Sequence, residues 1–210
     1  MIWLRHKTVK SKALVLTFDD GPGSHLTPDL LEILNEHNAK ATFFLLGRNV
    51  VEHGAMVRQI AAAGHEICSH GYDHLNYRTI SPFHGISDIK RGWKSIDKAL
   101  GKSASVYPFR PPYGKLNLIC LLYLRIRRIP IFYWTLACGD TWPKDIRDSQ
   151  TAARGASKMG GAVVLAHDYR ANDDGDKMVL DSISLSLLTA KEKGMKVMTL
   201  SELVGRNREI

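Results

Sequence analysis

The chain has 210 residues, 44% hydrophobic and 24% charged, a composition typical of a globular protein with one sizeable core. Its formal net charge is +8 at pH 7, but no nucleic-acid-binding motif accompanies the basic residues. These features exclude a disordered chain and disfavour a nucleic-acid partner, and they predict one domain over residues 1–210. The charge favours solubility or attraction to an anionic polymer or membrane face.

The cysteines and the N-terminus bear on compartment. Cys68, Cys120 and Cys138 are an odd number without the spacing of a disulfide framework, so we expect reduced thiols. Residues 1–12 are too short and too polar for a signal peptide, and no apolar stretch reaches the length of a membrane span. We therefore expect a protein that is not integral to the membrane, either cytoplasmic or peripheral to it. A leader outside this sequence leaves export open.

Apolar runs of strand length alternate with helical segments along the chain. The predicted strands cover residues 14–18, 40–46, 65–69, 105–109, 129–136, 161–166 and 195–199. The first predicted helix has Thr27 as its N-cap and Pro28 in its first position. The other predicted helices cover residues 50–63, 89–100, 116–128, 146–159 and 177–193, and a terminal turn starts at 201–204.

This alternation predicts a mainly parallel sheet covered by helices, because crossovers between parallel strands are right-handed. Seven predicted strands suggest a closed or nearly closed β/α barrel, one strand short of the eight-stranded form. A doubly wound open sheet is the competing topology, and hydrophobic periodicity does not separate the two.

Chemically active side chains follow the ends of five predicted strands. They are Asp19 and Asp20, His70 and His74, Arg110 and Tyr113, Asp140 and Trp142, and His167. In a barrel the carboxyl ends of the strands open at one mouth, so all of these side chains would line one site.

Two of these groups have the chemistry of metal ligands. His70 and His74 are four residues apart, so on one helical turn both imidazoles point the same way. Two such imidazoles and a carboxylate form an open three-ligand site for Zn²⁺ or a similar ion. A cation would also offset the repulsion between the neighbouring carboxylates of Asp19 and Asp20. The alternative for this pair is a turn with an Asp cap, since Asp, Gly and Pro are common turn residues.

Four segments together resemble the polysaccharide deacetylase (NodB-homology) family of carbohydrate esterases. They are TFDDGP at residues 17–22, SHGYDH at 69–74, RPPYG at 110–114 and LAHD at 165–168. The similarity extends from about Leu14 to Leu203 and includes the framework segments ATFF and GHE. The fold of the family is a distorted seven-stranded β/α barrel, in agreement with the number of predicted strands.

The resemblance implies a metal-dependent N-deacetylase that hydrolyses the acetamide of N-acetylated amino sugars and releases acetate. Asp20, His70 and His74 would bind one divalent ion, usually Zn²⁺ and in some members Co²⁺, Ni²⁺ or Mn²⁺. The partner would be an N-acetylated poly- or oligosaccharide, such as a chitooligosaccharide, peptidoglycan, an exopolysaccharide or a lipid-linked glycan.

The resemblance also implies roles around the metal. Asp19 would be the general base, held and oriented by Arg110. His167 would be the general acid toward the departing amine, which is a poor leaving group unless protonated. Asp140 would tune His167.

Substrate contacts follow from the same resemblance. The backbone N–H of Tyr113, which follows Pro112, would join the metal in stabilising the oxyanion. Trp142 and Leu165 would form the wall of the acetyl pocket.

One segment departs from the family pattern. Members commonly have Asp where this chain has Ala137, and an inserted Thr141 separates Asp140 from Trp142. The departure leaves the shape of the pocket and the pKa of the acid open. The metal ligands and the base are all present, so we expect activity.

Two other functions stay open. One is an O-acetyl esterase or non-sugar amidase with the same site, and the other is an inactive carbohydrate-binding module. The complete set of acids, bases and ligands speaks against the module. Acetate release from an N-acetylglucosamine oligomer, compared with O-acetylated xylan, would separate the two enzymes.

Overall fold

The computed structural model describes residues 2–141, 148–169 and 173–205. Within these ranges the strands are β1 (Ala13–Asp19), β2 (Thr42–Leu45), β3 (Glu66–Ser69), β4 (Leu136–Ala137), β5 (Ala162–His167) and β6 (Lys196–Val197). The helices are α1 (Ile2–Ser11), α2 (Leu26–Glu36), α3 (Gly47–Glu52), α4 (Gly54–Ala62), α5 (Pro82–Leu100), α6 (Leu118–Ile126), α7 (Thr151–Met159), α8 (Asp173–Glu192) and α9 (Leu200–Val204).

The sheet is parallel throughout these strands, which confirms the predicted α/β fold. Its order is β3-β2-β1-β5-β4, and β6 pairs with the start of β1. Strand β1 is central and all of its residues are buried. In register, Asp19 lies opposite Phe44 on one side and His167 on the other. The register therefore brings Asp19 and His167 to the same edge of the sheet.

The predicted strand at residues 105–109 is reduced to a single residue. Phe109 alone forms parallel bridges, one to Ser69 at the end of β3 and one to Ile131. Prolines explain the reduction, because Pro108 and Pro130 have no N–H to donate to a ladder. Their carbonyls still accept hydrogen bonds, from Ser69 N at 2.8 Å and from Phe109 N at 2.8 Å.

The predicted strand at residues 129–136 is likewise irregular until its last residue, which begins β4. The hydrogen-bonded order nevertheless continues from β3 through Phe109 and Ile131 toward β4 and β5. In the described part of the chain, regular strands alone do not close a barrel. At the position of the expected fourth strand, residues 105–109, the sheet has only the single bridges that Phe109 forms with Ser69 and Ile131.

The structure differs from the helix predictions at several places. The predicted helix over residues 50–63 is divided into α3 and α4, because His53 has φ −118° and ψ 40°, outside the helical region. Thr27 and Pro28 are the second and third residues of α2, so Thr27 is not the N-cap, a position held by His25, and Pro28 is not in the first position. Helix α1 covers residues for which the sequence predicted no element. Among the described helices none is both long and apolar enough to cross a bilayer.

Two apolar clusters lie on opposite faces of the sheet. The larger contains Leu14, Leu16 and Phe18 of β1 and packs against the surrounding helices. The smaller contains the alternate residues Ala13 and Val15, and Leu4, Leu200 and Leu203 of α1 and α9 belong to it.

Side chains alternate along a strand, so Thr17 and Asp19 continue the row that begins with Ala13 and Val15. They are the polar end of that row, at the C-terminal edge of β1. The strand thus carries apolar packing at its start and the first functional group at its end.

Candidate active site

The carboxylate of Asp19 is held by Arg110, which is completely buried. Arg110 Nη1 donates to Asp19 Oδ1 at 2.7 Å and to Thr17 Oγ1 at 2.8 Å. The guanidinium also lies over the ring of Phe44, with Cζ 4.0 Å from the centroid. Because Oδ1 is fixed in this way, Oδ2 is the oxygen left facing the site, 3.8 Å from His70 Nε2.

Asp20, His70 and His74 bring their ligand atoms together, all within 4.8 Å of one another. Asp20 Oδ1 lies 3.5 Å from His70 Nε2 and 3.3 Å from His74 Nε2. Ligands about 2.1 Å from a tetrahedral zinc ion lie about 3.4 Å from each other, so this spacing suits one shared ion. Asp20 Oδ1 is also buried without a hydrogen-bond partner among the described residues. The donor set therefore fits a divalent cation.

The histidines are prepared for ligation. His70 Nδ1 lies 2.8 Å from the carbonyl oxygen of Arg110, which can only accept, so Nδ1 carries the proton. The lone pair of Nε2 is then directed toward Asp20, an arrangement that orients histidine ligands in metal sites. Burial lowers the pKa of His74 despite the opposing charge of Asp20. A lower pKa favours the neutral imidazole that metal binding requires.

The backbone of the site is strained at three places. Asp20, His74 and Tyr113 have φ values of 75°, 57° and 58°. Left-handed conformations of non-glycine residues cost on the order of 1–3 kcal/mol and persist only where the surroundings hold them. At Asp20 one such restraint is Asn49, whose Nδ2 donates to the Asp20 carbonyl at 2.6 Å.

The loop that carries His70 and His74 is anchored by Asp88, a residue that the sequence analysis did not identify. The buried carboxylate accepts from Tyr72 N at 2.9 Å, from Asp73 N at 3.1 Å and from the Tyr77 hydroxyl. The available signal was position: Asp88 falls on the buried stripe of α5, four residues before Gly92.

Gly92 shows how closely α5 approaches this loop. A Cβ atom there would lie 2.6 Å from the carbonyl oxygen of Gly71. Only glycine allows this distance, so the loop packs directly on the helix backbone.

On the other side of the cluster, Asp140 contacts His167. Asp140 Oδ2 accepts from the backbone N of His167 at 2.9 Å and lies 3.0 Å from Nδ1 of its ring. Burial by itself lowers the pKa of His167. The hydrogen bond and charge of Asp140, with the charges of Asp19 and Asp20, outweigh it and raise the pKa from 6.5 to about 9. The imidazolium is therefore the main form at neutral pH.

Asp168 connects the end of β5 to the loop after β1. Its backbone N donates to the carbonyl of Asp19 at 3.1 Å, and its Oδ2 accepts from the Thr27 hydroxyl at 2.9 Å. Burial, together with the charges of Asp20 and Asp19, raises the pKa of Asp168 to about 7. Asp168 belongs to the LAHD segment at residues 165–168, which by itself indicates no role for this carboxylate.

Of the predicted substrate-binding residues, two lie in a turn near His74, one lies on β5, and one is outside the described ranges. Pro112 and Tyr113 belong to a 3₁₀ turn, and the Tyr113 ring centroid is 4.7 Å from that of His74. No described residue accepts a hydrogen bond from the Tyr113 amide. Leu165 is buried on β5, two residues before His167 and opposite Thr17. Trp142 lies outside the described residues.

Comparison with known proteins agrees with the family resemblance of the sequence motifs. Residues 6–125 match the family model described as polysaccharide deacetylase. A peptidoglycan-N-acetylglucosamine deacetylase of Listeria monocytogenes is 31% identical over 204 residues, which cover 97% of this chain and 41% of the relative. The chain thus spans less than half the length of that relative. A chitooligosaccharide deacetylase of Bradyrhizobium is 28% identical over 158 residues, 75% of this chain and 71% of the relative.

A solved structure gives the same result. The Bc1960 peptidoglycan N-acetylglucosamine deacetylase has a TM-score of 0.84 to this chain at 27% identity, covering 96% of this chain and 92% of its own. The family model covers more than half of the 210 residues, including the strand ends that carry Asp19, His70 and Arg110. The chain belongs to the polysaccharide deacetylase family.

Proposed function

We propose that this chain is a divalent-metal-dependent N-deacetylase that hydrolyses the acetamide of N-acetylated sugars in a glycan. One arrangement carries the proposal: a cluster of three metal-ligand side chains has a buried carboxylate–guanidinium pair beside it and a carboxylate–imidazole pair across from it. The similar proteins named peptidoglycan and chitooligosaccharide deacetylases support an N-acetylglucosamine glycan as the substrate.

Asp20, His70 and His74 would hold the ion, with Zn²⁺ the most suitable for two imidazoles and one carboxylate. When bound, such an ion lowers the pKa of water to about 7 and polarises a carbonyl oxygen. Co²⁺, Ni²⁺ and Mn²⁺ are alternatives that metal analysis distinguishes.

Asp19 acts as the general base on the attacking water. Its Oδ1 is occupied by Arg110, so Oδ2 takes the proton on the side that faces His70. Arg110 is a positioning residue here, because its planar fork fixes the plane of the carboxylate.

Tyr113 and His167 act on the carbonyl oxygen and on the departing amine nitrogen of the substrate. The amide N–H of Tyr113, which has no acceptor among the described residues, donates to the oxygen that becomes negative when water adds to the carbonyl carbon. His167, mostly protonated at neutral pH, donates its proton to the amine nitrogen as the C–N bond breaks. The products are acetate and a free amino sugar.

The protonated state of His167 favours amide over ester hydrolysis. An amine leaves only when its nitrogen is protonated, whereas an alkoxide needs an acid less. The O-acetyl esterase and the non-sugar amidase remain alternatives that use the same residues. The inactive binding module is the third alternative.

The test measures acetate released from N-acetylglucosamine oligomers, from peptidoglycan and from O-acetylated xylan, before and after chelation and reloading with Zn²⁺. We expect metal-dependent release from the N-acetylated glycans, abolished in Asp19→Asn. Release from xylan alone would establish the esterase. Binding of an oligomer without release from any substrate would establish the module.

A further inference from the structure

Helix α6 presents an apolar stripe to solvent. Leu118, Leu122 and Ile126 follow one another at intervals of four residues and so lie along one side of the helix, with Ile119 beside them. These four side chains are between 47% and 80% exposed, whereas Leu124 on the other side is fully buried. Single exposed apolar side chains are ordinary, but a contiguous stripe of large ones marks an interaction surface.

Arginines border this stripe at its C-terminal end. Arg125 lies in the last turn of α6, and Arg127 and Arg128 follow directly. All three are exposed, and no described acidic side chain forms an ion pair with them. The apolar stripe therefore ends in three positive charges that no acidic side chain in the described ranges pairs with.

A groove of about 620 Å³ extends this basic surface from α6 onto α5. Its cationic lining consists of Lys90, Lys94, Lys98, Lys102 and Arg127. The acid in the lining, Asp97, is already engaged by Ser105 N at 2.9 Å and the Tyr107 hydroxyl at 2.9 Å. The lining thus carries five cationic side chains and one carboxylate, a net positive surface.

Aromatic side chains organise the groove. Lys90 Nζ and Arg127 Cζ lie 5.7 Å and 5.2 Å from the ring centroid of Tyr123, which holds both cations beside the groove. The Tyr123 hydroxyl and Trp93 Nε1 are buried without a hydrogen-bond partner among the described residues.

We propose that α6 and this groove dock the protein on the surface of an anionic lipid bilayer. The stripe enters the boundary between headgroups and acyl chains, and the arginines and lysines contact lipid phosphates. An apolar stripe beside clustered cations is the pattern of an interfacial helix. A second copy of this chain fits less well, because it would bring another net charge of +8.

The docking would place the candidate active site near the bilayer. Leu118 follows Tyr113 by five residues, which span at most about 17 Å. A glycan attached to, or assembled at, the membrane would then reach the site without leaving the surface. This consequence rests on the proposed function, whereas the docking does not, since it is measured as binding.

The first test is co-sedimentation of the full chain with vesicles of phosphatidylcholine, alone or mixed with phosphatidylglycerol. We expect binding to the mixed vesicles only, and roughly tenfold weaker binding for Leu122→Ser/Ile126→Ser. The matched control is Val51→Ser/Leu188→Ser, which removes two exposed apolar side chains from α3 and α8. Leu122→Phe/Ile126→Phe keeps the stripe apolar and should retain binding.

The second test removes charge and leaves the stripe intact. Two arginines near an anionic surface contribute a factor of roughly 30 in affinity at low salt, so Arg125→Gln/Arg127→Gln should lose about that much. Lys158→Gln/Lys193→Gln, at a groove between α7 and α8, removes the same charge and should bind as the parent does. Salt should reduce the difference.

Four results would overturn the proposal. They are equal binding by all variants, equal binding to neutral vesicles, loss of binding only in Ile2→Ser/Trp3→Ser of α1, and a dimer that Leu122→Ser/Ile126→Ser dissociates. The last would assign the stripe to self-association. Circular dichroism of each variant shows that a loss of binding is not a loss of fold.

Discussion

Replacing Asp140 with Asn tests how the candidate general acid is kept protonated. The change preserves the size of the side chain and removes the charge that raises the pKa of His167. At pH 8 a group with a pKa of about 9 is about nine-tenths protonated, whereas one with the ordinary value of about 6.5 is about 3% protonated. Turnover at that pH should therefore fall by about 30-fold or more, because burial lowers the pKa further once Asp140 is neutral.

The pH dependence separates this effect from general damage. Near pH 6 the difference should be much smaller than at pH 8, because a larger fraction of the variant's His167 is protonated there. Activity should fall on the alkaline side, because the protonated acid form of His167 is present below its pKa and is lost as pH rises through it. The alkaline limb of the activity profile should therefore move to lower pH in the variant.

The assay is the pH profile of kcat/KM for acetate release, with metal content measured in parallel. Asp148→Asn is the matched control, since that carboxylate pairs with the exposed Arg154. An Asp140→Asn enzyme with the parent's alkaline limb and the parent's rate would refute the reasoning. Loss of metal in the variant would do so too, because Asp140 is not among the ligand residues.

The same pair also affects stability. A group whose pKa is raised on folding contributes stability that is complete below its unfolded pKa and is lost as pH rises through its folded pKa. For His167 that window runs from about pH 6.5 to about pH 9. The difference in free energy of unfolding between the parent and Asp140→Asn, measured with urea, should shrink across it.

Further predictions concern the ligands, the base and the anchor of the ligand loop. The parent should contain about one metal equivalent per chain, and His70→Ala should lose most of it; full retention would contradict the ligand assignment. Asp19→Asn should keep the metal and lose roughly 10²–10⁴ in turnover, while Asp20→Asn should lose the metal; the reverse pattern would exchange the two roles. Asp88→Ala should lower the free energy of unfolding by about 3 kcal/mol, since three donors lose their buried acceptor, and Tyr77→Phe by about 1 kcal/mol. Urea unfolding of the metal-free proteins measures both, and an Asp88→Ala change below that of Tyr77→Phe would contradict the anchoring role.

Several features of the fold could be predicted because they depend on short stretches of sequence. The buried run that ends at Asp19 and Asp20 is a strand by its apolar residues alone, and β1 follows it closely. The helix closed by Gly101 was also predictable, since its buried stripe and its left-handed C-cap are both local signals. The helix starts at Pro82, seven residues before the predicted start. The buried residues of this first part are Gly85 and Asp88, which give no apolar signal in the sequence.

The strands at residues 105–109 and 129–136 show where local signals fail. Their apolar residues predicted strands, but a β-ladder needs N–H donors on both strands. Pro108 and Pro130 have none, and they lie where the two segments would pair, as the bond from Phe109 N to the Pro130 carbonyl shows. Which residues face one another is a property of the assembled sheet. The single bridges at Phe109 could therefore not be read from either segment.

The order of apolar and polar residues alone predicts which side chains stand at the strand ends, and the family resemblance assigns them to one site. Tertiary structure decided the rest. It buried Asp88 beneath the ligand loop and tied Asp168 to Thr27. It also brought Asp140 to His167 across 27 residues, despite the inserted Thr141. These contacts join segments that are far apart in the chain. The residues next to an Asp in the sequence do not indicate whether its carboxylate is hydrated or accepts from a buried donor. Only packing distinguishes the two, because burial makes an unpaired charge costly and so fixes the partner.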